Sequence, residues 1–317
     1  MNKSLRSLFV NRASELQSRR IAVSFLVTGL LAVAAPVMAQ PDTVYFDSLD
    51  QKTRIVGYLF KPAGSGPYPA IVLLHGRAGP YSINDNADCA LVAKAVSSPC
   101  NAGTLSKRHA MWGQYWADHG FLALLPDSFG PRGKAHGFGR FSHDDIERED
   151  VNELTVRPLD AEGALAYLRG RGDVLSDRIF LQGWSNGAST ALNVMIRQRS
   201  GQGSHEGSRE GQWPGFRAAL AFYPGCGPAA LLKPVIPGKT PIAMFLAEDD
   251  EEVSPARCLE VADRSRAAGA AVDVTLYPGA THDFDDPGQR RQSIPDNRSA
   301  KADAMAKALA LLDANKR

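Results

Sequence analysis

The sequence predicts an α/β domain with a mostly parallel central sheet and helices on both of its faces. Two observations lead there. First, short apolar runs bounded by turn residues recur along the chain: PAIVLLHG, FLALLPDSFG, RIFLQGWS, RAALAFYPG, TPIAMFLAEDD and VDVTLYPGATH. Runs that are apolar at nearly every position suit strands covered on both sides. Second, helix-like segments alternate with them: RPLDAEGALAYLRG, ASTALNVMIRQR, SPARCLEVADRSRAAG and the terminal ADAMAKALALLDA. Strand and helix alternating over short connections is the pattern of a parallel sheet wrapped on both faces. The earlier VYFDSLDQKTRIVGYLFKP reads as a hairpin added at the sheet edge.

The first 39 residues stand outside this pattern. Lys3, Arg6, Arg12, Arg19 and Arg20 precede the nearly uncharged IAVSFLVTGLLAVAAPVMA, which ends in small residues. This reads as a secretory signal peptide cleaved after Ala39, with Val37 and Ala39 as the small residues of the site. A membrane anchor is the competing reading of the same run. The pair Arg19-Arg20 also permits twin-arginine export. Residues 40–317 are then expected to form a single domain, which their length allows.

Charge limits the partners. Of 36 lysines and arginines and 34 acids, residues 1–39 hold five and one respectively, so the remainder is slightly acidic. It offers no basic stripe for nucleic acid. Four cysteines, Cys89, Cys100, Cys226 and Cys258, are an even number in a chain expected to leave the reducing cytosol. Cys89 with Cys100 would close a short loop, and Cys226 with Cys258 would join segments that follow two successive strands. Zinc is the alternative, but no Cys-x-x-Cys pair supports it and the sequence offers no histidine nearby.

Two interruptions break the alternation. Residues 80–108 are polar, contain the first cysteine pair, and are expected to pass over the top of the sheet. Residues 199–214, rich in Gly and Ser, read as a surface insertion, with His205 a solvated loop residue.

The strongest chemical signal is Gly183-Trp184-Ser185-Asn186-Gly187, between a strand-like and a helix-like run. A serine on so sharp a turn sits in strained backbone, and side chains two residues to either side would collide with neighbouring main chain. The turn also puts the serine at a helix N-terminus, where unpaired N–H groups favour developing negative charge. A serine hydroxyl needs a base to take its proton, and the expected chain order is Ser, then Asp or Glu, then His. Only His205 and His282 follow the turn, and His282 lies in a short loop after the last strand. For the acid that orients it, AEDDEEVSP offers several carboxylates. Asp250 is preferred, three residues past the strand end at Ala247 and three before Val253, with Asp249 the alternate.

The oxyanion hole needs two backbone donors: Asn186, after the nucleophile, and Arg77, in the HGRAG loop after an earlier strand. The Arg77 side chain either holds an anionic substrate group or is simply exposed. His75 is expected to brace this loop.

VLLHGRAG, LLPDSFGPRG, RPLDAEGALAYL, IFLQGWSNGAST, AFYPGC, AEDDEEVSP and YPGATHDFD follow one another in the order of a known family. Over roughly residues 55–315 the chain resembles the dienelactone hydrolase family of the α/β-hydrolase fold. The resemblance implies a single-domain enzyme without metal or organic cofactor, hydrolysing a carboxylic ester or lactone through an acyl-enzyme. The founding members carry cysteine at the turn; Ser185 looks like an exported serine branch. Their substrate-binding arginines have no assigned counterpart here, although Arg132 and Arg140 lie in a suitable loop. A prolyl-oligopeptidase-type peptidase shares the turn and triad order, but its propeller domain has no counterpart in this sequence. A secreted binding protein on the same fold is a further alternative, against which the intact Ser, Asp and His argue.

Overall fold

Along β3 (Tyr68–Leu74), alternate side chains enter different apolar clusters. Ala70, Val72 and Leu74 join one, while Ile71 and Leu73 join the other. A strand buried on both faces has no polar side to show, which accounts for the unbroken apolar runs in the sequence. The structure, a computed structural model, describes residues 40–82, 88–139, 150–199, 215–227, 232 and 235–316. The expected signal peptide, His205 and Arg140 lie outside the described residues. Among the described residues, no helix is long and apolar enough to cross a membrane.

Among the described residues, eight strands form one sheet. In chain order the others are β1 (Asp42–Asp47), β2 (Arg54–Phe60), β4 (Leu122–Asp127), β5 (Val174–Trp184), β6 (Ala219–Phe222), β7 (Ile242–Ala247) and β8 (Val272–Tyr277). Their spatial order is β1-β2-β4-β3-β5-β6-β7-β8. β1 pairs antiparallel with β2, and β2 antiparallel with β4; the remaining pairs are parallel. The expected edge hairpin is therefore β1–β2.

Helices α2 (Arg157–Arg169), α3 (Asn186–Arg199) and α4 (Pro255–Ala267) cover one face. The other is covered by α1 (Lys107–Asp118) and α6 (Pro295–Asn315), with the single turn α5 (Gln289–Gln292) leading into α6. On α6 the residues Ala300, Ala304, Ala308 and Leu312 recur every four positions and are all buried, the spacing of one helix face.

Helix α1 was not among the sequence expectations, which treated its first residues as part of the polar excursion. It opens on Ser106, whose side chain accepts from the His109 backbone N–H, an ordinary cap. Its buried face consists of His109, Trp112, Gly113, Trp116 and Ala117. Trp112 and Trp116 are fully buried one turn apart. Each removes roughly 200 Å² from water, on the order of 5 kcal/mol by area. Two large aromatics, rather than a long apolar stripe, therefore hold this helix to the sheet.

Both expected cysteine pairs lie at disulfide distance, with Cα–Cα separations of 6.0 Å for Cys89–Cys100 and 5.0 Å for Cys226–Cys258. The second ties the segment after β6 to α4. One expectation about the first pair is corrected: a histidine is nearby. His136 Nε2 lies 3.5 Å from Cys89 Sγ and 3.9 Å from Cys100 Sγ. The sequence could not show it, because His136 is 36 residues from Cys100. The three could ligate a metal only with both thiols free.

All the parallel strands point the same way, so the loops after β3, β5, β7 and β8 gather at one end of the sheet. In open α/β sheets, ligands bind at that end.

Candidate active site

The turn between β5 and α3 has the steric form the sequence demanded. Ser185 sits at φ 51°, in the left-handed region that a non-glycine residue rarely adopts. Its N–H donates to Phe222 O at 2.9 Å and its own carbonyl accepts from Ala188 and Ser189 N–H. A Cβ at 183 would overlap the Gly187 carbonyl, and one at 187 would overlap the carbonyls of Leu74 and His75. Glycine at 187 thus lets the turn press against the end of β3.

Ser185 and His282 line one cavity, together with Gly76, Arg77, Arg108 and Glu252. Among the described residues Ser185 Oγ has no hydrogen-bond partner within the chain. His282 is almost fully buried. Its Nδ1 is 2.8 Å from Asp250 Oδ2. Asp250 Oδ1 is held in turn by the N–H groups of Glu252 and Val253, at 2.8 and 2.9 Å. The imidazole thus meets Asp250 and not Asp249, whose backbone N–H donates to Ala280 O.

Burial alone would push the His282 pKa down, but the Asp250 hydrogen bond and the charges of Asp283, Asp250 and Glu252 outweigh it. The net shift is upward from 6.5. Glu252 is a group the sequence reading left among the solvated acids. Its Oε2 lies 3.7 Å from His282 Nε2.

Arg77 grips Glu252 with Nε and Nη2, at 3.2 and 3.1 Å. Neither sequence alternative for its side chain describes this; it is neither free for an anion nor merely exposed, but committed to a carboxylate beside the histidine. The backbone N–H groups of Arg77 and Asn186 have no acceptor within the chain among the described residues. Asn186 is the first residue of α3, where unpaired N–H groups are expected.

His75 is fully buried. Its Nε2 accepts from Ser128 N–H at 3.1 Å, and its Nδ1 pairs with Gly76 O at 2.8 Å. Burial, reinforced by the Arg157 charge, drives its pKa well below the ordinary value. It is a neutral brace between the loops after β3 and β4. Arg132 binds Asp160 and Asp50 at 2.8 to 2.9 Å and Ser128 O at 2.6 Å, so both terminal nitrogens of its guanidinium are committed to anchoring α2.

Asp285 is a residue the sequence reading missed. It is fully buried and accepts from Trp112 Nε1 at 2.7 Å, from Trp184 Nε1 at 2.8 Å and from the Tyr223 hydroxyl. Burial raises its pKa despite the nearby Arg108 charge. Trp184 immediately precedes Ser185, and the Tyr223 ring lies 4.6 Å from that of His282. One carboxylate therefore links the serine turn to the histidine loop. The signal that could have found it was its place in the run DFDD after His282. Arg108 fixes the same loop through Asp283 at 2.7 Å and Asp286 at 3.4 Å.

The sheet order, the serine turn at the end of β5 and the histidine loop after β8 define an α/β hydrolase. A sequence model described as the Dienelactone hydrolase family matches residues 102–315, well over half of the chain, and the protein belongs to that family. Membership makes it a hydrolase of the carboxylesterase type. Solved structures share the fold. Esterase 2 of Thermogutta terrifontis with propionate bound is 18% identical at a TM-score of 0.59, over 87% of this chain and 95% of that one. A putative dienelactone hydrolase from Klebsiella pneumoniae is 14% identical at a TM-score of 0.57, over 86% and 99%. No curated protein matches the sequence.

Proposed function

We propose that the protein is an exported serine hydrolase that cleaves a carboxylic ester or lactone through an acyl-enzyme. The observation behind this is the bond of His282 Nδ1 to Asp250, which aims Nε2 into the cavity that Ser185 also lines. Ser185 Oγ attacks the ester carbonyl while His282 Nε2 takes its proton; that contact commonly tightens only when substrate is bound. Asp250 stabilises the imidazolium, and the N–H groups of Asn186 and Arg77 receive the oxyanion. The imidazolium then protonates the departing alcohol, and water, deprotonated by the same histidine, releases the acid and restores Ser185. Residues 1–39 act as the export signal and 40–317 as the single catalytic domain. The two cysteine pairs at disulfide distance are in keeping with an oxidising compartment.

Labelling the protein lacking residues 1–39 with a fluorophosphonate, followed by peptide mass spectrometry, is expected to place one adduct on Ser185. Folded, oxidised protein that takes no label would overturn the acyl-enzyme reading.

The base must be neutral to accept a proton. Because the His282 pKa is raised, kcat/KM is expected to climb with pH through an inflection above 6.5. Glu252→Gln removes a negative charge 3.7 Å from Nε2 and releases Arg77, and both changes disfavour the imidazolium. The inflection should therefore move to lower pH. An unmoved inflection in a stopped-flow pH series would show that His282 is not the titrating base.

A further inference from the structure

Arg157 is the only lysine or arginine with no exposed surface among the described residues. Burial lowers its pKa to about 10, so at neutral pH it is a buried cation. Such a charge is costly to desolvate, and packing does not require it. Helix α2 is already held by the apolar side chains Ala161, Ala164, Leu165 and Leu168 and by the Asp160–Arg132 pair.

Its contacts suggest another use. The Arg157 Nη1 donates to the Asn186 side-chain oxygen, and its Nη2 donates to His75 O at 2.7 Å. The guanidinium lies over the Phe129 ring, 4.9 Å from its centre. Asn186 follows β5, and His75 follows β3. These are the two segments that supply the unpaired N–H groups, one on Asn186 itself and the other on Arg77, two residues past His75.

We propose that Arg157 is a positioning residue that fixes the distance between the oxyanion-binding N–H groups of Asn186 and Arg77. Donors to an oxyanion act only where their geometry is held to a fraction of an ångström. The two segments belong to separate strand ends, and the guanidinium fork bridges them with one nitrogen to each. A lysine offers one compact ammonium on a flexible stem in place of two nitrogens held in a plane, so it does not reproduce a rigid fork stacked on Phe129. This inference rests on the acyl-enzyme reading above.

The test compares Arg157→Lys and Asn186→Ala with the wild type, each first shown to be folded by circular dichroism and thermal unfolding. Asn186→Ala removes the side-chain acceptor and keeps the backbone N–H. Arg157→Lys is expected to lower kcat about 10- to 100-fold, less than complete loss of a donor costs, with KM within about threefold. Affinity for a trifluoromethyl ketone, whose adduct places an oxyanion in the hole, should fall by the same factor. Affinity for the product carboxylate should not change. Asn186→Ala should give a smaller loss in the same direction, and the double variant should be no worse than Arg157→Lys alone. Wild-type kcat and ketone affinity in folded Arg157→Lys would overturn the proposal. So would parallel losses of carboxylate and ketone affinity, which would make the role purely structural. If Arg157→Lys does not fold, undiminished ketone affinity in Asn186→Ala overturns it. Failure of the wild type to take fluorophosphonate on Ser185 would instead remove the acyl-enzyme reading itself, a result separable from any of these.

Discussion

Ser185→Ala lowers kcat on an ester by about four to six orders of magnitude, the range expected when a nucleophile acting with its base is deleted. The same change alters folding free energy by less than about 1 kcal/mol. The asymmetry follows from the site. Ser185 Oγ bonds to nothing within the chain among the described residues, so its loss leaves no orphaned partner. The turn is held instead by main-chain bonds from Ser185 to Phe222, Ala188 and Ser189, which alanine keeps. Steady-state assays on a short-chain nitrophenyl ester, run beside calorimetry, would check both halves. Residual activity above about one per cent, in protein free of wild-type contamination, would mean that Ser185 is not the nucleophile.

Asp250→Asn is expected to cost about four orders of magnitude in kcat, the loss known when the orienting carboxylate of a triad becomes an amide. The new side-chain amide would retain an oxygen for the N–H groups of Glu252 and Val253, so the loop keeps its turn. Its NH₂ would then face His282 Nδ1 and donate to it. That moves the imidazole proton to Nε2, the atom that must accept from Ser185, and the base is lost without a change of position. Asp249→Asn should leave kcat within about twofold, because it is Asp250 that bonds the histidine. Proton NMR of the imidazole in both variants would report the tautomer directly. Equal losses in the two variants would sink the assignment of Asp250.

The elements with strong local signals were legible in the sequence. Each apolar run named there became a strand, and each named helical run a helix, because burial on both faces and the 3.6-residue repeat leave marks within a dozen residues. The serine turn was equally plain, since the glycines at 183 and 187 answer collisions within the turn and with the adjoining β3 end. Helix α1 escaped notice because two tryptophans supply most of its buried surface and its opening residues are polar.

Residues close along the chain are thus enough to specify the alternating layers of the fold, the strand-to-helix setting of Ser185 and the order of serine, acid and histidine. The even cysteine count in a chain expected to be exported likewise pointed to the two pairs. Only folding selects which of the clustered acids reaches His282, closes Glu252 and Arg77 on each other beside it, and lets Asp285 and Arg157 bind the site's loops together. The difference is one of range. Helix and strand periods and tight turns are set by neighbouring residues, whereas Arg77 meets Glu252 across 175 positions and Asp285 meets Trp112 across 173. Such contacts exist only once the sheet has brought its strand ends to a common edge.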